Sequence, residues 1–151
     1  MKSKRGEQKI IATYRRARYE YEIVDTYEAG ISLMGTEVKS LRQGHAVLHE
    51  GYVVVKEDEA WLYQVHIPEY SHGNRENHSP HRPRKLLLHH REIQKIKRKI
   101  SQQGFTAFPL SLYFKGHRVK VEVGVGRGKK LYDKRQSEKE KSARRELRER
   151  R

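Results

Sequence analysis

The sequence predicts a mainly β fold with two or three short helices and a charged tail. Between residues 10 and 128, short segments rich in Val, Ile, Tyr and Phe alternate with turn-forming residues. Apolar spacing typical of a helix is clear in only two places there. Five to seven short strands in a domain of this size suit a small β-barrel of the oligonucleotide-binding type. We therefore expect such a barrel, flanked by two or three short helices and followed by a disordered basic C-terminal tail.

Two β-hairpins are the clearest elements of the pattern. Residues 52–56 and 60–66 are rich in β-forming types and are joined by a charged turn. Residues 106–115 and 118–125 form a second pair across a Gly-His turn. Pro109 lies inside this second hairpin, and we expect an edge or bulge position for it, because proline cannot donate to a strand ladder.

Helices are predicted at 36–43 and 89–103, where apolar residues recur at spacings of three and four. Residues 21–33 are expected to form one or two strands around a turn at Ala29-Gly30. Residues 67–84 hold three of the four prolines and little that packs, so we expect a long loop there. Long loops in compact domains are usually functional.

The positive charge lies mainly at the two ends of the chain. The formal net charge is +15, from 34 Lys and Arg against 19 Asp and Glu. Residues 1–18 and 129–151 carry +6 each, whereas residues 19–128 carry +3. The ends are poor in apolar residues and cannot offset their own ordering entropy. We therefore expect a basic arm at 1–9, a folded domain at 10–128 and a basic tail at 129–151.

The tail is rich in helix-forming residues but lacks a docking face. Glu140 and Arg144 stand in the favourable i, i+4 order. Ala143 and Leu147 are the only apolar pair after Tyr132, so no apolar stripe is available to pack on a core. We expect the tail to be disordered when free and helical when it lies along a polyanion. A solubilising tail without further function is the alternative.

The composition excludes several classes of protein. The chain has no cysteine, so it holds no disulfide framework, cysteine nucleophile or cysteine-ligated zinc. No apolar run approaches the roughly 20 residues of a membrane span, and the N-terminus lacks the apolar stretch of a secretory signal. We expect a cytoplasmic protein with a polyanionic partner and no membrane partner.

Catalytic and metal chemistry has weak support. Six of the nine histidines lie between His66 and His90, but no pair has the spacing of a zinc-protease helix. The glycine-rich stretch at 124–130 lacks the spacing of a nucleotide-binding phosphate loop. The three Asp and 16 Glu are scattered, so a hydrolytic site is only the runner-up. We expect no catalytic residue, no metal and no cofactor.

Binding to RNA accounts for more of the residues. The nine tyrosines outnumber one Trp and three Phe, and those near the N-terminus alternate with Arg15, Arg16 and Arg18. This combines rings that stack on bases with cations that bind phosphate. We expect Tyr21 and Tyr27 to be at least half buried.

Six motifs extend over nearly the whole chain. They are EAGI at 28–31, GTEVKSLR at 35–42, NHSPHR at 77–82, RKLLL at 84–88, LSLYFK at 110–115 and GKKLYDKR at 128–135. In these motifs and their order the chain resembles the small protein B family, the SsrA-binding proteins of bacterial trans-translation. The resemblance implies an oligonucleotide-binding-like barrel that is not an enzyme.

The resemblance also implies partners. The family binds the tRNA-like domain of transfer-messenger RNA (tmRNA) and, with elongation factor Tu, enters ribosomes stalled without a codon. There the protein body takes the place of the missing anticodon arm, next to small-subunit RNA in the decoding centre. The tail is expected to become helical in the empty messenger channel. We expect a monomer.

Candidate site residues follow from these motifs. Glu28, Leu87 and Lys120 match family positions implicated in tmRNA binding. Side-chain chemistry adds further RNA contacts, namely Tyr21, Glu37, Lys39, Arg42, Asn77, His78, Arg82, Arg84 and Lys85. Contacts in the decoding centre are expected from Gly128, Lys129, Lys130, Tyr132, Asp133, Lys134 and Arg135. A role for Leu87 in the core remains open, since it stands in an apolar triplet.

Three tyrosines depart from the family pattern. Tyr14 stands where the family often has Asn, and Tyr19 and Tyr132 stand where it often has His. A ring at position 132 can still stack on an RNA base, but it lacks a titratable ring nitrogen. The alternative from another class is a basic ribosomal protein with a permanent structural role.

Overall fold

The structure is a computed structural model that describes residues 8–72 and 76–149. In these ranges it contains seven strands and four helices, which confirms the mainly β fold. The strands are β1 (Gln8–Thr13), β2 (Tyr21–Ile31), β3 (Tyr52–Lys56), β4 (Glu59–Tyr63), β5 (Arg84–Leu87), β6 (Thr106–Lys115) and β7 (Arg118–Gly128). The helices are α1 (Ala17–Glu20), α2 (Gly35–Arg42), α3 (His90–Gln103) and α4 (Leu131–Glu149).

The strands form one antiparallel sheet in the order β1-β6-β7-β2-β5-β4-β3. The hydrogen-bond ladder does not close, so β1 and β3 are the two edges. Val53 on β3 nevertheless shares one buried core with Leu112 and Phe114 on β6. The sheet thus wraps its main core as a barrel does, while its ladder stays open, and Ala17, Phe108 and Leu110 form a second, smaller cluster.

Both hairpins and the proline irregularity are confirmed. Strands β3 and β4 meet at a tight turn in which Glu57 and Asp58 have positive φ angles of 50° and 61°. Strands β6 and β7 pair along their length, and the register shifts between Pro109 and Ser111. Pro109 therefore lies at the bulge, and the β1 ladder on β6 ends before it, at Ser111.

The helix predicted at 89–103 is observed as α3. Ile93 and Ile96 are buried against the core, and Gly104 ends the helix with a left-handed φ of 66°. The helix predicted at 36–43 is observed one residue earlier, as α2. Its first turn is held by Glu37, whose Oε1 accepts a hydrogen bond from the Met34 N–H at 2.8 Å.

The predicted turn at Ala29-Gly30 is wrong, because β2 runs straight through both residues. Ala29 is fully buried in the core, and a Cβ on Gly30 would lie 3.2 Å from the Leu87 Cβ. A small residue here lets β5 approach β2, which explains the glycine without a turn. Two strands were not predicted, β1 and β5. Strand β1 begins within the expected basic arm, of which residues 1–7 lie outside the described residues.

A buried ionic cluster joins the loop after β4 to α2 and β5. Glu37 and Arg84 are both fully buried, and the Arg84 Nε donates to the Glu37 carboxylate. Arg82 donates to the same carboxylate from Nε at 3.0 Å and from Nη2 at 2.5 Å. Arg84 also donates to the carbonyls of Val65, at 2.7 Å, and Pro80, at 2.9 Å. These three side chains are called the ionic cluster below.

Two further side chains hold the same loop in place. Both ring nitrogens of the buried His78 are hydrogen-bonded, Nδ1 with Thr36 Oγ1 and Nε2 with the Ile67 carbonyl, each at 2.9 Å. The Asn77 amide donates to the Tyr70 carbonyl at 2.9 Å and accepts from the Tyr70 N–H at 3.2 Å. The predicted long loop therefore exists, but its polar residues at 77, 78, 82 and 84 point inward.

Helix α4 occupies the segment that we expect to be disordered when free and helical along a polyanion. The helix follows from its composition, since Lys, Arg, Glu and Gln are good helix formers. Described contacts with the body occur at α1, where the Lys129 N–H donates to the Glu20 carbonyl at 2.8 Å and the Lys134 Nζ lies 5.9 Å from the Tyr19 ring centroid. Disorder of the free tail in solution stays a prediction. In the described ranges, no helix has the length and apolar content needed to cross a membrane.

The ionic cluster predicts a large stability loss for Glu37→Gln. The substitution leaves the buried Arg84 guanidinium, and the partly exposed guanidinium of Arg82, without their counter-charge, which should cost about 3–5 kcal/mol of unfolding free energy in urea titrations. The matched control is Lys97→Gln, which breaks an exposed pair with Asp58 and should cost less than about 1 kcal/mol. A comparably small loss for Glu37→Gln would contradict the assigned role of the cluster.

The same variant should also change the response to acid. Burial raises the pKa of Glu37, but hydrogen bonds from Arg82, the Met34 N–H and Arg84 outweigh it and hold the pKa below its ordinary value of 4.5. The carboxylate therefore stabilises the fold fully at pH values above its ordinary pKa. This stabilisation is lost as the pH falls through the lowered pKa of the folded state. Unfolding free energy should fall less steeply below pH 4.5 in Glu37→Gln than in the parent chain.

Candidate RNA-binding surface

Side chains alternate between the two faces of the sheet, and one face points away from the core. Cross-strand pairing places Leu87 opposite Gly30, and Gly30 opposite Lys120. Glu28 lies two residues before Gly30 and therefore shares this face. We call it the outer face. Leu86 and Ile31, which pair with each other, alternate with these residues and point into the core.

Four predicted site residues meet in one cleft on the outer face. Glu28, Lys85, Leu87 and Lys120 line a cleft of about 580 Å³, which also includes the first turn of α3. These residues come from three strands that are far apart in sequence and adjacent in the sheet. The fold thus brings together the three positions matched by resemblance and one assigned by its charge.

Glu28 is held in one orientation by two donors. The Tyr113 hydroxyl donates to one carboxylate oxygen at 2.5 Å, and the Lys115 Nζ donates to the other at 3.1 Å. The hydrogen bond from Tyr113 is the main reason that the pKa of Glu28 lies below its ordinary value, with Lys115 and Lys120 adding to the effect against a smaller cost of burial. Glu28 is therefore an oriented anion that can accept hydrogen bonds from a ligand.

Leu87 is a surface residue. Its side chain is 54% exposed, while Leu86 beside it is 1% exposed. A core role for Leu87 is therefore excluded, and its apolar surface is free to contact a ligand in the cleft. Lys85 is half-exposed at the same rim, where its Nζ lies 3.5 Å from the Glu59 carboxylate. Exposed pairs of this kind contribute little, so Lys85 can exchange this partner for an anionic ligand.

Three predicted RNA contacts are corrected by burial. Glu37, His78 and Arg84 have at most 2% of their surface exposed and make their hydrogen bonds inside the protein. Asn77 and Arg82 are partly exposed, yet their polar atoms are also engaged within the loop. Glu37, His78 and Arg84 therefore offer no accessible group to RNA in this structure. Asn77 and Arg82 hold the loop and keep part of their surface exposed, so RNA contact by these two stays a prediction.

The remaining predicted body residues lie outside the cleft. Lys39 and Arg42 are exposed on α2, where they lie against aromatic rings. The Tyr21 ring stacks on Phe108 with centroids 4.2 Å apart, so one of its faces is covered. Tyr21 and Tyr27 are both partly buried, as expected. The structure thus separates Lys39 and Arg42 from Glu28 and its neighbours.

The predicted decoding-centre segment forms the end of β7 and the start of α4. Gly128, Lys130 and Arg135 are exposed, while Lys129 and Lys134 are partly buried near α1. The side chains of Tyr132 and Asp133 lie outside the described residues. Among the residues described, no three His, Asp or Glu side chains form a group that could hold a metal ion.

Tyr113 and Lys115 are site residues that sequence reasoning missed. Both belong to a matched motif, and the hairpin 106–115/118–125 was predicted correctly. Its register places Tyr113 opposite Lys120, which is the signal that could have found it. The link to Glu28 needs the neighbouring β2–β7 pairing, which no local pattern shows.

Two lysines, an oriented carboxylate and an exposed leucine meet on this face beside a basic helix, a combination found in small nucleic-acid-binding proteins, and Asp58, Glu59 and Glu92 also line the cleft. Comparison with known proteins specifies the family. The family model described as SmpB protein matches residues 11–151. The chain belongs to the SmpB family.

Curated relatives and a solved structure agree with this family. The SsrA-binding protein of Arthrobacter sp. (strain FB24) is 54% identical over 143 residues, with 95% of this chain and 92% of that protein covered. The SsrA-binding protein of Streptomyces coelicolor is 56% identical over 144 residues, with 95% and 91% covered. A solved structure described as tmRNA–SmpB in the bacterial ribosome matches with a TM-score of 0.67 and 44% identity, covering 80% of this chain and 85% of that one.

The hydrogen bond from Tyr113 predicts a measurable pKa change at Glu28. Tyr113→Phe removes the donor and should raise the pKa of Glu28 towards its ordinary value, although Lys115 still favours the charged form. The measurement is an NMR titration of the Glu28 side-chain carboxyl carbon. Tyr63→Phe, which removes a hydroxyl from β4, serves as the control and should leave this pKa unchanged. An unaltered titration in Tyr113→Phe would refute the assigned orientation of Glu28.

Proposed function

We propose that this chain binds the tRNA-like domain of tmRNA through the β2–β5–β7 cleft and delivers tmRNA to stalled ribosomes in trans-translation. The observation that carries the proposal is the meeting of Glu28, Lys85, Leu87 and Lys120 in one cleft of a chain that belongs to the SmpB family. Its curated relatives are SsrA-binding proteins, and SsrA RNA is tmRNA.

The side chains of the cleft have complementary tasks towards RNA. Lys85 and Lys120 supply cations for backbone phosphates, which contribute affinity without reading sequence. The oriented carboxylate of Glu28 accepts hydrogen bonds from the N–H groups of an unpaired base. Leu87 covers the apolar face of a base or ribose. Together they recognise a folded RNA loop through both charge and base contacts.

The basic composition of the C-terminal segment, residues 129–151, favours a second contact, with the ribosome. Residues 129–151 carry a net charge of +6, of which helix α4 holds +2 and the residues that flank it hold the rest. In our proposal, residues 128–135 contact small-subunit RNA in the decoding centre, and the rest of the helix lies in the empty messenger channel. The protein body then stands in for the codon–anticodon pair. Tyr132 stacks on a ribosomal base in this arrangement.

The proposal includes the wider setting of the family. The chain acts as a monomer in the cytoplasm, without catalytic activity, and enters the ribosome together with elongation factor Tu and tmRNA. A permanent ribosomal protein is the competing function. After a high-salt wash on a sucrose gradient, a ribosomal protein stays at one copy per ribosome, whereas a trans-translation factor is removed.

Lys85 tests the phosphate contacts of the cleft. Lys85→Ala should make the slope of log K against log salt shallower by roughly 0.7–0.9, the value of one phosphate contact, in filter binding to the tRNA-like domain. Lys95→Ala is the control, because Lys95 is exposed on α3 and does not line the cleft. Arg84 is also a candidate for this test by its charge. Because it is buried, we do not count it among the phosphate-binding residues. An unchanged slope for Lys85→Ala would show that Lys85 does not contact a phosphate.

Truncation after Arg135 tests whether the body and tail have separate functions. The truncated chain keeps every residue of the cleft and should bind the tRNA-like domain within about twofold of the full chain, because the distant tail charges add little to a contact screened beyond about 10 Å. Tagging on stalled ribosomes in a reconstituted translation assay should be abolished. A large loss of affinity for the tRNA-like domain would contradict the separation.

A further inference from the structure

The outer face continues past the cleft onto the β3–β4 hairpin. Cross-strand pairing places Tyr52 opposite Tyr63, and Val54 opposite Trp61. The intervening residues Val53 and Leu62 are buried in the core, so these four side chains point outward. We call Tyr52, Val54, Trp61 and Tyr63 the aromatic patch.

The aromatic patch is accessible. Tyr52 is 41% exposed, and Val54, Trp61 and Tyr63 are only partly buried. The rings of Tyr52 and Tyr63 stack on each other across the two strands, nearly parallel at 9° with centroids 5.6 Å apart, so each keeps one face for a ligand. Large aromatic side chains on the solvent face of a sheet are not needed to fill the core, which lies on the opposite face.

Two lysines border the patch. The Lys56 Nζ donates to the Tyr63 hydroxyl at 3.0 Å and lies 5.4 Å from the centre of its ring. Lys85 is the direct cross-strand neighbour of Trp61. Two of the nearby acids are paired, Glu59 with Lys85 and Asp58 with Lys97, each at 3.5 Å, while Glu57 lies exposed in the turn after Lys56. Flat rings bordered by cations form the arrangement that binds single-stranded nucleic acid.

The patch is also continuous with the cleft and leads to an open edge. Lys85 belongs to both surfaces, since it lines the cleft with Leu87 and pairs with Trp61. Strand β3 is the last strand of the sheet on this side. A chain of nucleotides leaving the cleft therefore meets Trp61 first, then Tyr52 and Tyr63.

We propose that the aromatic patch stacks unpaired nucleotides of the RNA bound in the cleft, with Lys56 and Lys85 contacting their phosphates. The inference rests on the proposed function and extends it to a single-stranded segment of the same RNA, which the patch binds without sequence preference. Stacking requires a free base face, which a duplex does not offer. The patch therefore distinguishes single-stranded from double-stranded RNA.

The chain contains one tryptophan, Trp61, so its fluorescence reports on the patch directly. Hexa-adenylate added to the full chain should quench the emission of Trp61 in a saturable titration. An RNA hairpin with a fully paired stem and a short loop should quench it at least about tenfold less well at equal nucleotide concentration. No quenching, or equal quenching by the paired hairpin, would overturn the proposal.

Substitutions at Tyr52 separate stacking from simple apolar contact. Tyr52→Phe keeps the ring and should bind hexa-adenylate as the parent chain does, whereas Tyr52→Leu keeps apolar bulk without a ring and should bind about tenfold more weakly. Equal affinity of both variants would overturn the stacking role. Lys56→Gln retains all four patch side chains and should also weaken binding, which keeps the test valid if Tyr52→Leu is poorly folded.

Leu87→Ser distinguishes this inference from the proposed function. It should weaken binding of the tRNA-like domain while leaving the quenching by hexa-adenylate unchanged, because Leu87 lies in the cleft and not in the patch. If Leu87→Ser leaves the affinity for the tRNA-like domain unchanged, the cleft function fails. If that affinity falls but hexa-adenylate does not quench Trp61, the cleft function stands and the patch inference fails.

Discussion

The buried pair of Glu37 and Arg84 is the interaction on which the rest of the structure depends. It joins α2 to the first residue of β5, and Arg84 carries this link onward to the carbonyls of Val65 and Pro80. Taking these charges out of water is costly, and their attraction roughly offsets that cost. The pair therefore adds little net stability but makes any other position of β5 very unfavourable.

The position of β5 decides which side chains reach the surface. With Arg84 held inside, the alternation of the strand places Lys85 and Leu87 on the outer face and Leu86 in the core. A shift of one residue would bury Lys85 and expose Leu86. The small Gly30 on β2 then lets Leu87 lie close to Lys120, so that residues from three strands form one cleft. A buried ion pair thus positions a surface that it does not touch.

The sequence predicted correctly those elements that are defined by residues close together in the chain. The two hairpins, the bulge near Pro109 and the isoleucine spacing of α3 were recognised because each lies within a few neighbouring residues. The turn at Ala29-Gly30 was wrong because glycine marks close strand approach as well as turns. The inward direction of Arg84 was missed because arginine is rarely buried, and its partner Glu37 is 47 residues away in sequence. The cleft residues came mainly from the family resemblance, whereas Tyr113 became visible only through strand register.

The central claim is that the outer face, and not the charged loop, contacts tmRNA. Its most direct test is methyl NMR of the full chain, labelled at Leu and Val, during titration with the tRNA-like domain. We expect the Leu87 methyl signals to shift, while those of Val38 on α2, beside the ionic cluster, stay in place. Shifts at Val38 with an unchanged Leu87 would contradict the account.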